Sequence, residues 1–147
     1  MTGFEIAVTC LALNVFKEAR GEPVQGQHAV ALVTLNRVYR SGLSKDVCEV
    51  VFEHKQFSWT ITDTEGGVLH PHKRPDRTSK EWKRAEQSAR EALYMEDFTG
   101  GATHYHEIKI KPYWSTSMER VGRWGNHYFY RSKDGNQHST EGAGRGA

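Results

Sequence analysis

Phe4, Ala7, Val8, Leu11 and Val15 recur at steps of three and four, so one face of a helix is apolar from near the start of the chain to about Ala19, where Gly21 and Pro23 stop it. A second helix follows from about Val24 to Tyr39 and closes at Ser41-Gly42. Its Ala29, Val30, Leu32, Val33 and Leu35 leave it nearly apolar all round except near its ends, a pattern that suits only a helix covered on every side. The fold is therefore expected to be built around this second helix.

Later segments are shorter. Ser44 is placed to cap a third helix carrying Val47, Val50 and Val51, and Gln56-Phe57-Ser58-Trp59-Thr60-Ile61 alternates aromatic and hydroxyl residues as a short strand does. Residues 63–77, with Gly66-Gly67, Pro71 and Pro75, read as a long loop. Thr78 and Glu81 have capping-box spacing and open a helix with Trp82, Ala85, Ala89, Ala92 and Leu93 on one side. Beyond Gly100-Gly101, two β segments are expected, Ala102 to His106 and Gly125 to Arg131, separated by a loop holding Pro112, Tyr113 and Trp114. Helices first and a small sheet last indicate an α+β class.

A chain of 147 residues suits one domain. From Ser132 onward it is polar, with four glycines and no large apolar residue, so residues 1–131 are expected to form the domain and 132–147 a flexible tail. The formal net charge of +2 is too small for a dedicated nucleic-acid binder. The surplus is uneven: residues 1–69 carry 6 basic and 8 acidic groups, and residues 70–147 carry 14 and 10. That second half suits an anionic polymer. The apolar run Ile6 to Phe16 is too short to span a bilayer, and it follows Glu5 rather than a basic residue, so neither membrane insertion nor a signal peptide is expected. Cys10 and Cys48 both stand among apolar residues and read as buried thiols rather than a disulfide or a metal site.

Glu18 is the most informative side chain. It lies seven residues after Leu11 and three after Val15, which continues the buried stripe to the point where the first helix ends. An apolar surrounding and the negative end of the helix dipole both disfavour a carboxylate, so a raised pKa is expected. An acid protonated near neutral pH is what a glycosidic oxygen needs in order to leave. Spacing alone also allows Glu18 to pair with Lys17 or Arg20. Glu22 is either a second carboxylate or the acidic first turn of the second helix.

The segment Glu18-Ala19-Arg20-Gly21-Glu22-Pro23, followed by Gly26-Gln27, Ala29-Val30-Ala31 and Leu35-Asn36-Arg37-Val38, closely resembles the opening of the cell wall hydrolase family typified by the spore-cortex-lytic enzyme SleB. The resemblance continues through Val47-Cys48, Val50-Val51, Gln56-Phe57-Ser58-Trp59, Gly100-Gly101-Ala102-Thr103-His104-Tyr105, Pro112, Trp114, His127 and Phe129-Tyr130, covering about residues 5–131. It implies a mostly helical, lysozyme-like or lytic-transglycosylase-like domain. Its substrate would be the peptidoglycan glycan strand, cut at the β-1,4 bond between N-acetylmuramic acid and N-acetylglucosamine, and no cofactor would be needed. The first Glu of the motif maps onto Glu18 as the catalytic acid.

Around it, Phe57, Ser58, Thr103, Tyr105 and Trp114 are the expected substrate-binding residues, with Tyr128 a further sugar platform. Strand alternation puts Thr103 with Tyr105 and His104 with His106, the first pair being expected to face the groove. His70-x-His72 and His104-x-His106 also suit a metal-dependent peptidoglycan amidase or endopeptidase, although neither pair has a third ligand at a diagnostic spacing. A non-catalytic wall-binding module is the other alternative. A wall enzyme without a recognisable secretion signal resembles a phage lysis protein, made in the cytoplasm as a monomer and released by a holin-type partner; a bacterial protein expressed without its signal segment would look the same.

Overall fold

The computed structural model describes residues 2–53 and 57–133. Helix α1 spans Gly3–Ala19, with the Thr2 hydroxyl accepting from Glu5 N at 3.1 Å, and the chain leaves it through Gly21 at a φ of +86°, which glycine adopts without strain. Helix α2, Val24–Arg40, starts immediately after Pro23. Every residue from Ala29 to Thr34 is buried. The centre of the molecule is thus the helix that was expected there, with α1 and the amphipathic α5 (Lys80–Ala92) packed against it and against each other.

Buried polar side chains tie these layers together. Asn14 on α1 accepts from the Trp59 indole at 2.8 Å and donates to Thr34 at 3.4 Å. Gln27 on α2 accepts from Ser88 at 2.7 Å and donates to Ala19 O at 3.3 Å, which fixes the end of α1. Each of these groups would cost more unpaired than the bond itself contributes.

Helix α3 is Val47–Val51, and its cap is Asp46 in a capping box with Glu49, rather than Ser44. Cys10 and Cys48 form a disulfide between α1 and α3, with Cα atoms 5.2 Å apart, which corrects the expectation of buried thiols. Both lie only partly buried, where the two helices pack. Apolar neighbours in sequence report burial. They do not report that two helices distant along the chain bring these cysteines together.

The expected strand at 56–61 is instead a helical turn, α4, spanning Ser58–Asp63; Gln56 lies outside the described residues. A hydroxyl that suggested alternation serves the turn, Thr60 donating to Phe57 O at 2.6 Å, and Thr64 after it donates to Thr60 O at 2.5 Å. Within the expected loop, β1 (Thr64–Glu65) and β2 (Val68–Leu69) form a hairpin through Gly66 and Gly67, both at positive φ, and a 3-10 turn follows at Pro71–Lys73. Ser79, one residue after the expected Thr78, caps α5 by accepting from Trp82 N at 3.1 Å.

The antiparallel sheet has the order β3 (His104–Glu107), β5 (His127–Arg131), β4 (Glu119–Trp124). Strand β4 was not expected because Glu-Arg-Val-Gly-Arg-Trp has no apolar alternation; it is an edge strand with charged residues exposed and a register irregularity between Arg120 and Gly122. The register sets Tyr105 opposite Phe129 and Glu107 opposite His127, while His104 pairs with Tyr130 and His106 with Tyr128. One face therefore carries Thr103, Tyr105, Glu107, His127 and Phe129, and the other carries the His104/His106 pair. No helix among the described residues is long and apolar enough to cross a membrane. Of the expected tail, residues 134–147 lie outside the described residues.

Candidate active site

Glu18 stands in the last turn of α1, partly open to solvent, but its Oε1 is sealed and has no hydrogen-bond partner. Burial pushes its pKa up to about 8; the Tyr105 hydroxyl and the Arg37 guanidinium pull against that shift, and the Glu107 carboxylate adds to it. The carboxyl is therefore largely protonated at neutral pH. The reason is the one read from sequence: a carboxylate that continues an apolar stripe is placed where water cannot solvate its charge.

Tyr105 reaches this position from β3. Its side chain is fully buried, with the ring 5.6 Å from Phe129 and 5.4 Å, edge-on, from His127. Burial and the neighbouring Glu18 raise its pKa well above the ordinary phenol value, so it stays a neutral hydroxyl. That hydroxyl stands beside Glu18 and Asn14, both of which act on its pKa, but makes no hydrogen bond of full geometry. Two sealed oxygens, Glu18 Oε1 and Tyr105 Oη, thus stand as neighbours with their hydrogen bonding incompletely met, an arrangement that costs stability.

Arg37 lies beneath them. Its Nε donates to Thr103 O at 2.7 Å, its guanidinium covers the Phe57 ring at 4.9 Å, and both Nη atoms are sealed without partners. Burial lowers its pKa to about 10, opposed by Tyr105 and Glu18, and it remains a cation. A buried positive charge in this place limits how far Glu18 rises and stabilises Glu18 once it has lost its proton.

The two oxygens of Glu22 are engaged by Asn126, whose backbone N donates at 2.6 Å and whose Nδ2 donates at 3.2 Å. Its Oε1 also stands 3.7 Å from His127 Nδ1. A Cβ on Gly125, which has a φ of +61°, would collide with this carboxylate. Glu22 thus fastens the entry of α2 to the β4–β5 turn. Asp63, another carboxylate of the region, pairs with Lys17 at 2.8 Å; burial opposes its ionisation, but Lys17, Thr62 and Lys73 hold its pKa below the usual range.

Of the expected substrate contacts, Ser58 is exposed at the start of α4 and Tyr105 faces Glu18. Phe57, Thr103 and Trp114 need correction because they offer no open surface. Phe57 is fully buried between Arg37 and the Tyr105 ring, 6.3 Å away. The Thr103 hydroxyl is buried against His104 Nδ1 at 2.8 Å. Trp114, 7% exposed, packs with His104, His106 and Tyr130 on the sheet face turned away from Tyr105. Arg120 covers Tyr128 at 3.8 Å on that same face. These residues were chosen for their chemistry, and neither aromatic character nor a hydroxyl distinguishes a wall from a lining.

The His104/His106 pair is on the sheet face opposite Tyr105, whereas His72 lines a cavity with Phe16, Lys17 and Arg20. His70 and His72 stack at 5.5 Å near the 3-10 turn, while His104 and His106 are buried. Among the described residues no group of three or more His, Cys, Asp or Glu side chains is arranged to hold a metal. Three neighbours of the Glu18 site were given no role from the sequence, Arg37, Glu107 and His127, although Arg37 and His127 stand among the residues that carry the family resemblance. An arginine inside an otherwise apolar helix was the signal for Arg37, and extending the Thr103, Tyr105 alternation by one step reaches Glu107.

A family model described as Cell Wall Hydrolase matches residues 21–130, beginning just after Glu18. The Spore cortex-lytic enzyme of Halalkalibacterium halodurans is 34% identical over 123 residues, 83% of this chain and 34% of that protein; that of Bacillus subtilis is 30% identical over 124 residues, 83% of this chain and 36% of that protein. The chain therefore spans only about a third of the length of these relatives. The solved catalytic domain of Bacillus cereus SleB superposes with a TM-score of 0.66 at 26% identity, covering 86% of this chain and 91% of that one. The catalytic domain of the germination-specific lytic transglycosylase SleB from Bacillus anthracis gives 0.65 at 27%, with 89% and 97% covered. The α+β fold is thus shared with these domains, and the chain belongs to the cell wall hydrolase family.

Proposed function

We propose that this chain cleaves peptidoglycan glycan strands at the β-1,4 bond between N-acetylmuramic acid and N-acetylglucosamine, with Glu18 as the proton donor. The observation that carries this reading is the Glu18 carboxyl, held protonated by burial with Oε1 left unpartnered. As the bond from C1 of the muramic sugar breaks, Glu18 gives its proton to the leaving oxygen and becomes a carboxylate. Arg37 beneath it and the Tyr105 hydroxyl beside it stabilise that charge. The carboxylate then takes a proton from the oxygen that attacks C1, which restores the acid. Attack by the sugar's own 6-hydroxyl closes a 1,6-anhydro ring; attack by water gives a reducing sugar.

We favour the intramolecular route. Glu22, the carboxylate nearest in sequence that hydrolysis would need as a partner, is committed to Asn126, and one of the structurally similar domains is described as a lytic transglycosylase. The test is mass spectrometry of muropeptides released from purified sacculi. Anhydro products, lighter by one water than their reducing counterparts, support the route, whereas reducing ends alone point to hydrolysis. Fragments cut only in the peptide would overturn the glycosidase reading and favour the amidase alternative.

A further inference from the structure

Asn14 is a fully buried amide on α1, four residues before Glu18 and therefore one turn below it on the same face of the helix. An amide has an acceptor oxygen and a donor nitrogen, and which end meets a neighbour decides what that neighbour can do. Here the choice is fixed from outside. The Trp59 indole is a donor only, and at 2.8 Å it claims Oδ1. The Nδ2 end therefore turns the other way, where it gives one hydrogen to the Thr34 hydroxyl at 3.4 Å and has a second left for its other neighbour, the Tyr105 hydroxyl. Trp59 comes from α4 and Thr34 from α2, so two further elements hold this amide in one orientation.

The Tyr105 hydroxyl has one proton. With Nδ2 turned toward its oxygen, that proton is left to point at Glu18, the acceptor beside it. The two effects on the phenol agree in direction: Asn14 pulls its pKa down, as a donor to its oxygen does, and Glu18 pushes it up, as an acceptor of its proton does. The consequence falls on Glu18. A protonated carboxyl has one bare oxygen and one that carries the proton. A hydroxyl free to turn could accept the Glu18 proton and hold it inside the protein. A hydroxyl that can only donate obliges the oxygen it meets to be the bare one. Its sealed neighbour is Oε1, while the Glu18 side chain is partly open to solvent, so the acidic proton is left on Oε2, where a glycosidic oxygen can reach it.

We propose that Asn14, its amide oriented by Trp59, is a positioning residue: it fixes the direction of the Tyr105 hydroxyl so that Glu18 carries its proton on the oxygen open to substrate. This rests on the glycan-cleaving reading above for the substrate, but not for the placing of the proton. After transfer the same donation stabilises the carboxylate, so its loss raises the Glu18 pKa.

Asn14→Leu removes the amide at similar volume. The groups that face Glu18 from other elements, Arg37 on α2 and Tyr105 and Glu107 on β3, are unaltered, as is His127 beside the Tyr105 ring. The first readout is the carbon-13 shift of the Glu18 carboxyl against pH in the full chain, its signal identified by its absence in Glu18→Gln; it needs no substrate. In Asn14→Leu the midpoint should move up by a fraction of a unit. The second is activity on sacculi: kcat should fall about tenfold with KM little changed, and the alkaline limb of kcat/KM should move to higher pH. A merely loosened site would do the opposite, since water reaching Glu18 lowers its pKa. Because Asn14 acts through Tyr105, adding Asn14→Leu to Tyr105→Phe should change neither readout further. Trp59→Phe keeps Asn14 but frees its amide to turn, and should give a smaller upward shift. A midpoint that stays or falls in Asn14→Leu, or in Trp59→Phe where Asn14→Leu does not fold, overturns the proposal. So do effects that add in the double variant. An upward shift in a protein that cuts no glycan supports the placing of the proton and overturns the glycosidase reading instead.

Discussion

The two faces of the β3–β5–β4 sheet are made from similar residues and behave differently. On the outer face His106 bonds the Tyr130 hydroxyl through Nε2 at 2.7 Å and Glu107 O through Nδ1 at 2.7 Å, and Arg120 donates to the same hydroxyl at 3.1 Å. His104 is bonded to Thr103, and burial with Arg37 and Arg40 nearby lowers its pKa to about 3, so it is neutral. On the inner face Tyr105 Oη, His127 Nδ1 and the opposing Glu18 Oε1 are sealed with no hydrogen bond of full geometry, their nearest polar neighbours being one another, Asn14 and Glu22. The outer face satisfies nearly all its polar groups, Trp114 Nε1 being an exception, and so it contributes stability. The inner face leaves several incompletely met and gives up stability, as the proposed proton donor requires. What separates structure from chemistry here is not the type of side chain but whether its polar atoms have been satisfied.

The largest effect that tests this contrast comes from Glu18→Gln. The amide keeps the shape and delivers no proton, so activity on sacculi should fall about 10²–10⁴-fold. Stability should move the opposite way. Because the folded pKa is about 8 against the ordinary 4.5, the folded protein binds this proton more tightly than the unfolded chain between those values. Glu18 therefore costs nothing below about pH 4.5, and its cost grows as pH rises, becoming complete above about 8. The variant should be more stable by about 1–3 kcal/mol at pH 8 and unchanged at pH 4. Thermal melts at the two pH values read this directly, and a variant that melts alike at both removes the raised pKa from the account.

On the outer face the pattern should reverse. Trp114→Ala empties the space against His104, His106 and Tyr130 and should cost about 3–5 kcal/mol of stability, while turnover per folded molecule stays the same. A matched pair of tyrosines gives a smaller contrast. Tyr130→Phe removes a hydroxyl that His106 and Arg120 both use and should cost about 1–2 kcal/mol. Tyr105→Phe removes one that meets Glu18 and Asn14 without full hydrogen-bond geometry, so the melting temperature should fall less than in Tyr130→Phe while kcat falls. If both tyrosine variants lost stability equally, the inner face would be as well satisfied as the outer.

This division also explains what could be read in advance. The α1 and α2 runs were legible because helical periodicity is local, and Glu18 because its burial follows from the same periodicity. Strand alternation, a two-residue rule, put Thr103 and Tyr105 on one side of β3 but did not show that the Thr103 hydroxyl is buried against His104. Trp114 and Phe57 were misplaced because an aromatic ring packs against core or sugar with the same chemistry, and the choice depends on what covers it. The disulfide, the β4 edge and the tie from Glu22 to Asn126 all join segments far apart in the chain. No local pattern encodes those contacts. Arg37 was hidden for another reason: a charged residue in an apolar helix contradicts the pattern, and such contradictions mark sites more often than they mark errors.

The smallest prediction sharpens the inner face alone. Glu107 ends β3 opposite His127, exposed, and its charge helps to keep Glu18 protonated. In Glu107→Gln that repulsion is gone, so the Glu18 pKa should fall by a fraction of a unit and the alkaline limb of kcat/KM should move to lower pH. His127 does not confuse the reading, since burial holds its pKa below the ordinary value and it is neutral across this range. The proper control is Glu119→Gln on the outer edge, where the carboxylate pairs with Arg131 at 2.9 Å. It changes the net charge of the protein by the same amount and should leave the limb in place. High salt should shrink the Glu107 effect, because a charge in contact with solvent is screened within about 3 Å at 1 M. Equal shifts in the two variants would show that the limb follows overall charge. A shift confined to Glu107→Gln would place a second carboxylate beside the acid, tuning it without taking its proton.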